Sequence, residues 1–336
     1  MHRFDQILNG VNIVYGGACN KKCAYCMQEP DINNKKGDID KFLMNFKKFL
    51  ISEGITQINS VHYWGGETLL YWKQVRKTIL ELDSLYNIKM HRITTNGTLI
   101  DESYVEFCNK HQNVFTVVSL HDFAIPDEIW RLIGKLDRFS VTGLLVRGIT
   151  SADYFKPEWE RVKCLTGKAV NIGIYPAHAT DGCAKDCWLT IQNIDAYFVD
   201  LIDNIYRRAC NGDEFSRKII ANFLFNCSTR EKLATAPKCF HSGVLSVDLF
   251  GNQLICHHND NSANRCGNIF DRKIYFKKES DKNPERFFVS NECQSCEALP
   301  LCKGGCFLTN THDVECYWEK ARWALFKVLK NINDEV

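Results

Sequence analysis

Residues 15–30 read YGGACNKKCAYCMQEP and set Cys19, Cys23 and Cys26 within eight positions, directly behind the β-branched run VNIVY at 11–15. Three thiols this close together read as ligands, not as core residues. A closed structural zinc site takes four ligands in a tetrahedron, and this group offers three. A cubane [4Fe–4S] cluster held by three thiolates leaves one iron open, and an open iron can bind a small molecule directly. Zinc with a fourth ligand from elsewhere in the chain is the alternative reading.

Outward from this loop, short apolar runs alternate with amphipathic stretches, the pattern of repeated βα units around a parallel sheet. Strands are expected at 11–15, 58–64, 91–95, 114–120, 139–146 and 170–175, with helical spacing in DKFLMNFKKFLISEG (40–54) and KQVRKTILELDSLY (73–86). Six units suit an α/β fold built as a partial (β/α)6 barrel; a flat doubly wound sheet is the alternative. In both, ligands belong at the carboxyl ends of the strands. The polar motifs fall there: the cysteine loop, then GGE (Gly65, Gly66, Glu67), TNGT (95–98), Ser119 with His121 and Asp122, and PAHATDGCAKDC (176–187).

A helical stretch over about 191–225 leads to a short hairpin with Gly251-Asn252 at its turn. From there to Cys316 the chain is loop-rich and cysteine-rich, a segment that needs a metal staple to fold. YWEKARWALFKVLKNIN (317–333) reads as a closing amphipathic helix. The 336 residues include 17 cysteines but no export signal, so thiolate chemistry in a reducing cytoplasm is expected in preference to disulfides. A balance of 42 basic against 40 acidic residues, net +2, gives no sign of a nucleic-acid or membrane-surface partner.

The spacing Cys19-x3-Cys23-x2-Cys26, with GGE and the strand-end polar residues in order behind it, resembles the radical S-adenosylmethionine (SAM) superfamily. Cys239-x11-Gly251-x4-Cys256, Cys293-x2-Cys296-x5-Cys302-x3-Cys306 and Cys316 resemble the seven-cysteine SPASM extension found in peptide- and protein-modifying members related to anaerobic sulfatase-maturating enzymes. The resemblance covers residues 11 to about 320. It implies a radical SAM partial barrel over 1–225, a SPASM domain over 226–320 and a terminal helix over 321–336. It implies that Cys19, Cys23 and Cys26 hold the radical-generating [4Fe–4S] cluster and that Tyr25 lies beside the adenine. The backbone of Gly65 and Gly66 and the Glu67 carboxylate would grip the SAM ammonium, with Thr95, Asn96, Ser119 and Arg147 contacting its ribose or carboxylate. Two auxiliary [4Fe–4S] clusters are implied: an outer one on Cys293, Cys296, Cys302 and Cys316, and an inner one on Cys239, Cys256 and Cys306. Cys266, an open iron, or a histidine such as His241 or His257 would complete the inner one.

The reaction implied is reductive cleavage of SAM to a 5′-deoxyadenosyl radical that abstracts a hydrogen atom from substrate. The auxiliary clusters would take the electron left over, and a flavodoxin or ferredoxin would supply the first. A peptide is the favoured substrate. Sulfatase maturation itself is less favoured, because His257 and His258 stand where those enzymes carry an aspartate base. A barrel that begins by residue 11 leaves no room for an N-terminal peptide-binding domain, so leader recognition is expected from elsewhere. His257 is the candidate base, and Cys183, Cys187 and Asp122 are further catalytic candidates, with a structural role the alternative for the cysteine pair. A small-molecule substrate such as a sugar or amino acid, and a non-catalytic iron–sulfur electron carrier, are the competing functions.

Overall fold

The structure, a computed structural model, describes residues 6–28, 37–120, 125–232, 244–257, 265–271, 273–274, 291–302, 305 and 309–334. Cys239, Cys306, Asp122, His121, His241 and His258 lie outside the described residues.

The strands are β1 (Ile7–Leu8), β2 (Gly10–Val14), β3 (Gln57–Ile58), β4 (Ser60–Trp64), β5 (Met90–Thr95), β6 (Val114–Ser119), β7 (Phe139–Leu145), β8 (Ile172–Pro176), β9 (Val244–Asp248), β10 (Asn252–Leu254), β11 (Arg265–Asn268) and β12 (Lys273–Ile274). Ten of them form one sheet in the order β12-β11-β10-β9-β2-β4-β5-β6-β7-β8. From β2 to β8 every pairing is parallel. The six strands expected from sequence are therefore present, each within two residues of its expected ends. The expected 58–64 strand divides, because Gln57 and Ile58 pair separately with Ile7 and Leu8.

Between the parallel strands run α1 (Ile39–Ser52), α2 (Trp72–Asp83), α3 (Glu102–Lys110), α4 (Asp127–Ile133) and α5 (Lys156–Thr166). α1 starts where the Asp38 carboxylate accepts bonds from the Asp40 and Lys41 amides, satisfying orphan donors of the first turn. The six parallel strands follow one another in chain order, so right-handed crossovers put all five helices on one face. A doubly wound sheet needs a reversal of strand order to place helices on both faces, and none occurs here.

The helix-facing rows are apolar: Val11, Ile13, Val61, Ile93, Val118, Val141 and Ile172 are buried in the main core with Phe42, Phe46, Ile79 and Trp130. Polar side chains on this face are bonded. The Tyr63 hydroxyl meets His91 Nδ1 at 2.7 Å, His91 Nε2 meets Asp83 at 2.9 Å, and the Tyr104 hydroxyl meets Thr116 at 2.7 Å.

The opposite rows read differently. Asn12 pairs in register with His62, His62 with Arg92, and Arg92 with Phe115, so these residues share the face away from the helices. Tyr175 of β8 belongs to the same face through Leu144. In a flat sheet β5 and β8 would stand about 14 Å apart, three strand spacings. Yet the Tyr175 hydroxyl is near enough to act on the charge of Arg92. The sheet curls around this polar face and forms the wall of a barrel, as the partial-barrel reading requires.

β9 runs parallel to β2, matching Gly10 to Val244 and Val14 to Asp248, and β10, β11 and β12 continue antiparallel. The hairpin turn is where it was expected: Gly251 has φ +80°, and the Asp248 carboxylate accepts bonds from the Phe250 and Asn252 amides and from the Asn252 side chain. The cysteine-bearing C-terminal segment is thus anchored to the first barrel strand. The 191–225 stretch resolves into α6 (Ile191–Asp200), a π-helical turn at Leu201–Tyr206, α7 (Arg207–Cys210) and α8 (Glu214–Lys232), broken at Gly212 with φ +98°. The closing helix α9 (His312–Asp334) begins five residues before the expected start.

Candidate active site

Three loops at the carboxyl edge of the barrel are laced together. The Gly66 amide donates to the Gly16 carbonyl (2.9 Å) and the Glu67 amide to the Ala18 carbonyl (2.8 Å), which ties GGE to the start of the cysteine loop. A Cβ on Gly66 would lie 2.3 Å from the Gly17 oxygen and 2.5 Å from the Ala18 oxygen. Both are backbone atoms with nowhere to go, so this approach is open only to glycine. Tyr71, which the sequence reading missed, supports the same turn: its hydroxyl accepts from the Ala18 amide at 3.1 Å.

TNGT joins through side chains. Asn96 Nδ2 donates to Asn20 in the middle of the cysteine loop (2.8 Å), and Asn20 Nδ2 donates to Thr98 Oγ1 (2.9 Å). Asn96 Oδ1 also accepts from Thr98. Glu67 is tied to the β5 loop. It is 2% exposed, and its carboxylate accepts from the Leu69 amide (2.9 Å), the Thr95 hydroxyl (2.6 Å) and the Asn96 amide (2.7 Å). Burial raises its pKa against the pull of those bonds. The carboxylate thus fixes the β5 loop beside the Gly65–Gly66 backbone. Asn20, Tyr71 and Gln28, whose side chain donates to the Gly65 carbonyl, carry no motif signal; only their contacts reveal them.

The loop after β8 closes the third side. The Ala184 amide donates to the Ala24 carbonyl (2.7 Å) and the Thr180 hydroxyl to the Met27 carbonyl (3.1 Å). A Cβ on Gly182 would meet the Gln28 oxygen at 2.4 Å. Cys183 is thereby brought against the cysteine loop. Burial first, then Cys187 and Cys26, push its thiol up to about 11, so it stays protonated at neutral pH. Arg147, exposed at the end of β7, donates Nε–H to the Trp188 carbonyl. Ser119 is buried at the end of β6.

Cys19 is exposed, and Cys23 and Cys26 are partly buried. Burial raises the Cys26 thiol, and the nearby Cys19 adds to that shift. Among the described residues no three or more His, Cys, Asp or Glu side chains converge on a point that one metal ion could occupy. A cubane binds each thiolate at a different iron, and three thiols on a loop with a braced base suit that arrangement. Beside them, the half-buried Gly66 and the ends of β5 to β7 offer backbone and polar groups to a small molecule.

From the other end of the chain, His257 packs against Trp64, ring centroids 4.4 Å apart and planes tilted by 39°, next to Gly65. The hairpin carries it there through β9 beside β2. Cys256 and Cys266 are both buried across the same hairpin, where Leu254 pairs with Arg265, and the Cys266 thiol donates to the Gln253 carbonyl. Cys293 and Cys296 act on the Cys316 thiol, whose pKa burial raises first, so the short helix Asn291–Gln294 and α9 bring these three together. Cys302 ends the neighbouring helix Leu299–Cys302.

His62 adds a measurable property. Burial and then Arg92 lower its pKa to about 4, below the value of about 6.5 in the unfolded chain. Above pH 6.5 it is neutral in both states and costs nothing. As pH falls from about 6.5 toward 4 the unfolded chain takes up the proton first, so stability declines, by at most about 3 kcal/mol. Urea titrations across this window are expected to show that decline, and His62→Asn is expected to flatten it.

Comparison with known proteins agrees with this edge. Residues 13–141 match the radical SAM superfamily model. The cysteine-type anaerobic sulfatase-maturating enzyme of Clostridium perfringens strain 13 is 27% identical over 335 residues, covering 86% of this chain and 85% of that protein. In fold, native anSMEcpe with bound AdoMet and the Cp18Cys peptide superposes with a TM-score of 0.70 at 19% identity, over 98% of this chain and all of that one. Streptococcus suis SuiB bound to precursor peptide SuiA gives 0.59 at 15% identity, over 91% and 73%. No helix among the described residues is long and apolar enough to cross a membrane. The matched segment opens on the cysteine loop and contains the GGE and TNGT loops that brace it, so residues 13–141 form a radical SAM domain, the kind that holds SAM and a [4Fe–4S] cluster.

Proposed function

We propose that this radical SAM enzyme modifies a peptide, and that it carries two auxiliary [4Fe–4S] clusters in its C-terminal third. The observation that carries the reading is the extent of the likeness. It runs past the radical SAM domain, over 86% of the chain in sequence against the sulfatase-maturating enzyme and over 98% in fold against native anSMEcpe. When bound, SAM and the cluster supply a 5′-deoxyadenosyl radical that removes a hydrogen atom from the substrate. Cys19, Cys23 and Cys26 hold the cluster. The backbone at Gly65 and Gly66 takes the SAM ammonium, Thr95, Asn96, Ser119 and Arg147 flank its ribose and carboxylate, and Tyr25 lies by the adenine. The barrel wall keeps water from the reacting carbon. His257, set over Trp64 at the barrel mouth, accepts the proton released when the substrate radical is oxidised. The auxiliary clusters would take up the electron left over, and a flavodoxin or ferredoxin would supply the first. Cys183 braces the cysteine loop and Cys187 flanks it; Asp122 follows β6 on the same edge of the sequence pattern.

Cys293, Cys296, Cys302 and Cys316 hold the outer auxiliary cluster, and Cys239, Cys256 and Cys306 the inner one, with Cys266 as its fourth ligand. The working units are 1–225, 226–320 and 321–336. Anaerobically reconstituted protein is expected to bind about 12 iron atoms, four for each of three cubanes; a content near four, with zinc elsewhere, removes the auxiliary clusters. Cys266→Ala is expected to change the spectrum of the inner cluster while leaving SAM cleavage in the absence of substrate intact. Identical spectra and iron content with and without Cys266, compared in a background lacking Cys19, Cys23 and Cys26, rule out closure by this residue.

The substrate class is tested with perdeuterated short peptides encoded beside the gene. Deuterium is expected in 5′-deoxyadenosine together with a mass change in the peptide. Deuterium arriving only from labelled sugars or amino acids assigns the enzyme to small molecules instead.

A further inference from the structure

The barrel lumen holds a cation that the described protein leaves unanswered. Arg92 sits third in the six-residue strand β5, on the face away from the helices. Its Nε is shut off from water without a hydrogen-bond partner, and its guanidinium makes no hydrogen bond or ion pair among the described residues. Its neighbours do not supply the missing charge. His62, in register beside it, is kept neutral by burial and by Arg92 itself. Tyr175 reaches toward it from β8 but is held by Asn226 Nδ2 at 3.3 Å. Two acidic side chains of the edge are already engaged, Glu67 on the β5 loop and Asp248 on its own turn. Stranding a guanidinium in a half-dry lumen costs stability, and such a charge is kept where a partner arrives to meet it.

We infer that Arg92, with His62 beside it in register and Tyr175 on the same face of the sheet, is the lumen's binding point for a carboxylate of the substrate. The forked guanidinium matches a carboxylate bidentately, and neutral imidazole and phenol donate hydrogen bonds without adding charge. Depth agrees with substrate better than with SAM. Arg92 lies three residues, about 10 Å, below the Thr95–Asn96 edge where the cofactor's polar groups belong. A carboxylate held there places the residue that carries it, or its neighbour, near the strand ends where hydrogen abstraction takes place. The occupant is an acidic side chain or the C-terminal carboxylate of a short peptide. The peptide part rests on the function proposed above; the carboxylate part rests on the lumen alone.

The test measures binding to the anaerobically reconstituted, SAM-loaded chain by equilibrium dialysis. The probes are N-acetyl-alanyl-glutamyl-alanine amide, its neutral glutaminyl analogue, that analogue with a free C-terminal carboxylate, and free acetate. Wild type is expected to bind at least one carboxylate-bearing peptide about tenfold or more tightly than the neutral amide. The one preferred identifies side chain or C-terminus as the source. Arg92→Met is expected to erase the preference, and Arg92→Gln, which keeps a polar head, to erase it too should the methionine variant fail to fold. Equal affinity for all three peptides in wild type, or a preference that survives both substitutions, overturns the inference. It is also overturned if the variants bind SAM more weakly while the preference for a carboxylate is unchanged, since Arg92 then serves the cofactor. Arg92-dependent binding of acetate as tight as that of the preferred carboxylate peptide upholds the carboxylate point and removes the peptide reading.

Discussion

Replacing Cys19, Cys23 and Cys26 together by Ala is expected to reduce 5′-deoxyadenosine formation to background while leaving about eight of about 12 iron atoms in place. The asymmetry follows from the fold. The cysteine loop hangs from the ends of β2 and β4, whereas Cys293, Cys296 and Cys316 are gathered by the short helix Asn291–Gln294 and α9. Removing three exposed or half-buried thiols deletes ligands without opening a cavity in the main core. Far-ultraviolet circular dichroism and urea midpoint are therefore expected to stay near wild type. 5′-Deoxyadenosine made at the wild-type rate under a low-potential reductant would refute the assignment of the radical-generating cluster, and loss of nearly all iron would show that the two cysteine groups fold as one.

Gly66→Ala leaves every thiol in place and is nevertheless expected to lower SAM cleavage on the order of 100-fold, the scale of an ångström misplacement at a reacting centre. The new Cβ would sit 2.3 Å and 2.5 Å from two carbonyl oxygens, closer than such contacts allow, and both belong to the loop that carries Cys19. Relief requires the Gly66–Gly16 and Glu67–Ala18 bonds to lengthen, which shifts the cysteine loop relative to β5. Gly148→Ala is the control. That glycine has positive φ, at +90°, which Gly66 does not, but nothing lies within 4 Å of its Cβ direction, so the substitution is expected to cost stability modestly and leave cleavage little changed. Equal activity losses in the two variants would mean that the close approach at Gly66 does not hold the site.

Much of this arrangement is legible in the chain. The alternation of β-branched runs with amphipathic stretches places six parallel strands, because an apolar period is a local consequence of which face is buried. Cys19, Cys23 and Cys26 declare a metal by spacing, since three thiols in one short loop have no other economical use. Gly251-Asn252 declares its turn because a positive φ there is open to glycine at no steric cost. The hydrogen-bond partners of Glu67 were not legible. An acidic residue after two glycines at a strand end looks the same whether its carboxylate faces a ligand or turns inward, and the choice was made by Thr95 and Asn96, about 28 residues away in sequence. Asn20 and Tyr71 escaped for the same reason: one polar side chain in a loop has no local signature of what it will reach.

What the sequence determined by itself, then, is the set of elements and the chemistry of the metal loop, because periodicity, turn conformation and ligand spacing are properties of neighbours along the chain. What only the tertiary structure decided is which residues meet. Strand order without reversal turned the sheet into a barrel wall, β9 beside β2 delivered His257 to Trp64, and curvature brought Tyr175 to Arg92. In the sequence His62 and Arg92 are single charged or titratable positions inside short strands. They became a lumen site because the pleat points them away from the helices, and the curl of the sheet leaves that face enclosed with its cation still to be matched.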